Sequence, residues 1–123
     1  MLRGISPGAR MKFNDALASH VEVFTSAITR FELWSGVELG DGRPGQIRDL
    51  EDLANLAPVL AFDERDSREA ARLRARLQRS GKIIGPYDLL IGAQALARDL
   101  TLVTGNGREF RRIEGLRTIS WLE

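Results

Sequence analysis

GPYDLLIGAQALA, residues 85–97, carries one acid near its start and is apolar or small almost throughout; between Asp88 and Arg98 the only strongly polar side chain is Gln94. A helix that is apolar on nearly every side is buried on nearly every side. Its one carboxylate then admits two readings. Asp88 either complements the positive end of its own helix, or sits in a cleft where a metal, a base or backbone donors compensate it.

The flanking sequence places this helix, read as Tyr87 to Leu100, in an alternating pattern. Before it, Pro58 to Phe62 (PVLAF) reads as a short apolar strand ending at Asp63, a helix cap. The helix that follows runs to about Arg79, with Ala70, Leu73, Ala75 and Leu77 inward, and Gly81 to Pro86 forms a loop. After it, Thr101 to Thr104 (TLVT) reads as a strand, Arg108 to Ile113 as a helical turn and Arg117 to Trp121 as a last strand.

Towards the N-terminus, Gln46 to Leu56 has apolar residues at 47, 50, 53, 54 and 56, the spacing of an amphipathic helix. GDGRPG (40–45) is a loop by composition. Ala27 to Leu39 reads as a helix capped at Thr25-Ser26, and HVEVF (20–24) as a strand. Ser6-Pro7 begins a helix reaching Ala18. Helices alternating with short apolar strands predict one α/β domain over 1–123 with a parallel sheet.

The 123 residues are 43% hydrophobic and 28% charged, an ordinary globular composition. Lys and Arg total 18 against 17 Asp and Glu, so no global charge marks a nucleic-acid binder, although a local patch is compatible with that sum. The lack of cysteine removes disulfides and thiolate metal sites and suits the cytoplasm. No stretch reads as a secretory signal or a membrane span.

Glu32 stands at the border of the apolar arc of the helix SAITRFELWSG, one turn before Gly36; the alternative is a surface glutamate paired with an arginine. Asn106, in Thr104-Gly105-Asn106-Gly107, follows an apolar strand. Ligands of open parallel sheets bind at such a strand end, yet Asn and Gly are also ordinary turn residues. Gly-x-Gly here is too short for a dinucleotide fingerprint. His20, the only histidine, opens a strand with no nucleophile elbow nearby. The arginines at 65, 68, 72, 74, 76 and 79 alternate with Asp63, Glu64, Asp66 and Glu69, as on a solvated face with internal ion pairs. Arg108, Arg111 and Arg112 are better placed to hold phosphate.

Four stretches, TSAITRFELWSG (25–36), PVLAFD (58–63), GPYDLLIGAQALA (85–97) and LVTGNGREFRRIEGL (102–116), resemble in order and spacing the PIN-domain ribonucleases, in particular the VapC-type toxins of bacterial toxin–antitoxin pairs. The resemblance implies a three-layer α/β/α fold with a parallel sheet and an acidic cluster binding Mg²⁺ or Mn²⁺. It implies Glu32 and Asp88 as metal ligands, Asn106 as a catalytic residue at the family's fourth position, where the family uses Asp or Asn, Thr104 in support and Arg108 or Arg112 on the RNA backbone. It also implies an RNA substrate, a cognate antitoxin protein and a homodimer.

The family opens on a central strand ending in Asp-Thr-Asn, whose Asp is a metal ligand, and nothing before His20 matches it. Met1 to Gly4 resembles instead the helix after that motif, and Asp15 is the only earlier acid. The expectation is therefore a domain without its first, central strand. The competing expectation is a PIN-like remnant that binds antitoxin or RNA without cutting.

Overall fold

A computed structural model of the chain describes residues 11, 14–16, 18–19, 22–40 and 45–120. Strand β1 (Thr25–Ser26) leads into helix α1 (Ala27–Glu38), followed by α2 (Gln46–Leu56), β2 (Val59–Leu60), α3 (Glu64–Arg79) and α4 (Pro86–Ala97). Strand β3 (Leu102–Val103), the single turn α5 (Gly107–Phe110) and β4 (Thr118–Ile119) complete the order. Strands and helices alternate in an α/β arrangement, and both strand pairings are parallel. β1 pairs with β2 in the register Thr25 to Val59, and β3 with β4 in the register Leu102 to Thr118. Among the described residues these form two separate two-stranded ladders. No helix among them is long and apolar enough to cross a membrane.

The strand expected over 20–24 is displaced. Residues 22–24 are irregular, and the ladder begins at Thr25, whose N–H bonds Pro58 O at 2.9 Å. Ser26 serves two purposes, because its extended backbone (φ −68°, ψ 142°) both ends the strand and caps α1, its Oγ accepting from Ile28 N–H at 3.1 Å. Other strands shrink to their paired centres, and α4 starts one residue early, at Pro86, where a proline suits the first helical turn. Of the helix expected over 7–18, the described members at 11, 14–16 and 18 are helical. His20, Val21, the loop residues 41–44 and Trp121 lie outside the described residues.

The core is the packing of α3 on α4. Ala70, Leu73 and Leu77 of α3 meet Leu89, Ile91, Ala93 and Ala95 of α4, with Leu102, Phe110 and Ile113 closing the cluster. Ala75 is half-buried rather than inward. On the outer face of α3, Arg72 and Arg76 pair with Glu69 at 3.1 and 4.0 Å, as the charge alternation predicts.

The two helices are also joined by charge. Asp66, 0% exposed, completes a capping box with Asp63 at the start of α3, each carboxylate accepting the other's N–H at 3.0 Å. Arg98, just past α4, grips Asp66 with two nitrogens, Nε to Oδ1 at 3.2 Å and Nη2 to Oδ2 at 2.9 Å. Gln94 Nε2 adds bonds to Asp66 at 3.2 Å and to Ala61 O at 3.1 Å. Burial by itself would raise the Asp66 carboxyl. The Arg98 hydrogen bonds and charge, with donors from Asp63 and Gln94, outweigh it and hold the group below its ordinary value.

Removing the buried carboxylate takes an acceptor from the Asp63 N–H and Gln94 Nε2 and leaves the part-exposed Arg98 with only Asp63 and Ala61 O. Asp66→Ala is expected to cost about 3 kcal/mol in urea unfolding. Because the folded carboxyl titrates below its unfolded value of 3.8, this contribution is complete above that pH. It is lost as pH falls through the lower folded value, so parent and variant should converge in strong acid. A second test concerns Gly92, where an added Cβ would lie 2.5 Å from Ile113 Cδ1 and 3.4 Å from the Phe110 ring. Gly92→Val is expected to lower stability by about 1–3 kcal/mol, read as a shifted urea midpoint.

Candidate active site

At the opposite end of α4 from Arg98, the loop before α4 and the loop after β3 converge. Gly85 and Pro86 start the helix, placing Asp88 in its first turn, half-buried. Thr104 leaves β3 fully inside, and its Oγ1 accepts the N–H of Asn106 at 3.0 Å, a local turn that fixes where Asn106 stands. Asn106 then precedes α5, three residues before Glu109.

Glu109 joins these pieces. Its Oε1 accepts the Gly85 N–H at 2.7 Å, and its Oε2 accepts from Asn106 Nδ2 at 2.7 Å. Asp88 forms a side-chain hydrogen bond with the same carboxylate, and the Arg112 charge acts on it. The Gly85 N–H bond is the largest influence and lowers the Glu109 carboxyl; burial opposes it, and Asp88, Asn106 and Arg112 add to the lowering. Glu109 is therefore held ionised at neutral pH, while two carboxyl groups share one small space. Such a pair needs a shared proton or a cation between its members.

Asp88, Asn106 and Thr104 thus come together around a residue the sequence reading passed over. Glu109 lay inside the stretch TGNGREF, and the spacing Thr-x-Asn-x-x-x-Phe stepped across it. The available signal was an Asn followed three residues later by Glu, the separation of a helix N-cap and its third residue. Arg112 donates through Nη1 to Ile83 O, which ties it to the loop before α4. Arg108 is exposed. Glu32 is half-buried on α1, a helix that packs beside α4. The preceding residue, Phe31, meets the Tyr87 ring edge-on at 5.4 Å, so this turn of α1 lies beside the first turn of α4. Among the described residues, no three His, Cys, Asp or Glu side chains gather into a metal-holding group.

The PIN-domain family model matches residues 7–116, a span containing every one of these side chains. The chain belongs to the PIN-domain family. Within that family it is 35% identical, over 96 residues covering 78% of this chain and 73% of the relative, to the tRNA(fMet)-specific endonuclease VapC of Shigella flexneri. Ribonuclease VapC2 of Haemophilus influenzae is 34% identical over 97 residues, 79% of this chain and 74% of its own. Among solved structures, VapBC2 from Rickettsia felis bound to a promoter DNA fragment superposes with a TM-score of 0.84 at 30% identity, covering 94% of this chain and 86% of that one. DNA-bound VapBC from Salmonella typhimurium gives 0.84 at 33% identity with the same coverage, 94% and 86%. The PIN and VapC resemblance carried by the four sequence stretches is borne out.

Since the Gly85 amide in this PIN domain rests on one charged acceptor, Glu109→Ala should speed its hydrogen exchange by about tenfold or more. Amides in the middle of α4 serve as the internal reference and should not change.

Proposed function

We propose that this chain is a metal-dependent endoribonuclease toxin, held inactive by a cognate antitoxin. One observation carries the reading: two carboxylates, Asp88 and Glu109, are held together with the Asn106 amide just past the end of β3. They sit in a chain whose PIN-domain relatives are ribonucleases.

The donors suit Mg²⁺ or Mn²⁺. They are hard oxygens, and Mg²⁺ commonly takes one or two carboxylates and fills the rest of its shell with water and substrate phosphate. Asp88 and Glu109 would hold the ion, with the Asn106 carbonyl oxygen as a further donor and Glu32 approaching from α1. A divalent ion there supplies a Lewis acid for the phosphate and a more acidic bound water.

The protein's own contribution is preorganisation. Gly85 N–H and Asn106 Nδ2 fix both Glu109 oxygens, so the carboxylate is set before substrate arrives. Arg112 buttresses the loop carrying Gly85, and exposed Arg108 is available to the RNA backbone. The relatives' names make tRNA the first substrate to try, and the VapBC assemblies make a VapB-type antitoxin the partner. A homodimer belongs to the same reading.

The second reading, binding RNA or antitoxin without cutting, is favoured by the lack of a three-acid group among the described residues. A single assay separates them. With Mn²⁺, the chain is expected to cleave tRNA, and Asp88→Ala to lower the rate by at least about a hundredfold, the scale on which removing a group that stabilises transition-state charge acts. Metal-dependent cleavage undiminished in Asp88→Ala would remove Asp88 from the site. No cleavage by the parent, with RNA still bound, would leave the binding-only reading.

A further inference from the structure

We infer that Phe31 and Tyr87 form a stacking platform for an unpaired base of the RNA strand, directly beside the carboxylate pair. The inference rests on the ribonuclease reading and adds which form of RNA the site accepts. Phe31 is 51% exposed and Tyr87 46%, although burial of an apolar ring is favourable. Their centroids are 5.4 Å apart and their planes 62° apart, an edge-to-face contact. Each ring braces the other, while much of both surfaces stays in water.

Their position points to the occupant. Tyr87 immediately precedes Asp88, with Cα atoms about 3.8 Å apart, and Phe31 immediately precedes Glu32. A strand whose phosphate lies at Asp88 and Glu109 therefore has a base within reach of the rings. Trp34, one turn further along α1, is 37% exposed, and the Arg30 guanidinium lies 6.0 Å from its ring centre. Arg30 is itself steadied by a 2.9 Å bond to Leu50 O.

Exposed rings with a guanidinium among them match the stacking surfaces and cationic grooves that take single-stranded nucleic acid. In duplex RNA the bases are already stacked on one another and have no free face to offer. The competing occupant, an apolar segment of a protein partner, is an outcome of the test below.

The test is fluorescence anisotropy in EDTA, which stops cleavage. The probes are a short labelled single-stranded RNA, an abasic strand of the same length, and a duplex. The parent chain is expected to prefer the base-bearing single strand. Tyr87→Leu and Phe31→Leu should each weaken that complex by about five- to tenfold and leave the abasic complex nearly unchanged, whereas Tyr87→Phe keeps the preference. Unchanged circular-dichroism melting separates these effects from unfolding. Equal affinity of the parent for the base-bearing and abasic strands, or leucine variants that retain the preference, overturns the inference. So do ring variants that bind RNA normally but no longer assemble with a VapB-type antitoxin, because the rings then belong to the protein interface. Retained cleavage by Asp88→Ala would instead remove the site assignment, a failure read in a different assay.

Discussion

Arg98 gripping buried Asp66 pins one end of α4 to the start of α3, and the rest of the arrangement follows from that anchor. The network costs desolvation, and Gln94 Oε1 is buried with no partner among the described residues. What it secures is register: with the C-terminal end of α4 fixed against the capping box of α3, the two helices have no freedom to slide. At 12 residues, α4 is about 18 Å long. Asp88 is therefore held at a set distance from the clamp, at the far end of a helix buried along most of its length.

At that far end the packing works through small residues. Gly92 lets Ile113 and Phe110 lie against the helix, which brings α5 close enough for Glu109 to reach Gly85. Once there, Glu109 is an acceptor for two donors from different loops and a neighbour to a second carboxylate. Confining two carboxyl groups is unfavourable without a proton or a cation to share. On the proposed reading a hard divalent ion would relieve that confinement, so the local destabilisation and the proposed function would have one origin.

In the proposed nuclease, the acidic pair and the exposed rings would divide the work of handling RNA. A backbone-directed site treats every phosphate alike, because phosphate carries no sequence information. Selection then has to come from contacts to bases or from the shape of the strand. Rings adjoining the carboxylates would supply such a contact without a further loop or domain, and they would favour strands whose bases are free to unstack.

The sequence by itself determined the alternation of helices and strands, the cap at Asp63, the ion-paired face of α3 and the burial of α4 beyond its first turn. All of these are set by residues within a turn or two of one another. Asp88 and Asn106 were also legible, since an acid opening an apolar helix and an Asn-Gly loop after a strand are local signals. Only the tertiary structure decided that Glu109 is their common partner, because its bond to Gly85 spans 24 positions and no local pattern encodes that distance. The Asp66–Arg98 clamp was hidden for the same reason: the partners lie 32 positions apart, and in sequence Asp66 belongs to a charged run read as solvated while Arg98 only marks the end of the apolar stretch. The displacement of β1 to Thr25–Ser26 was likewise tertiary, since two-residue ladders depend on which backbone lies alongside, here Pro58 and Val59, more than on β-propensity.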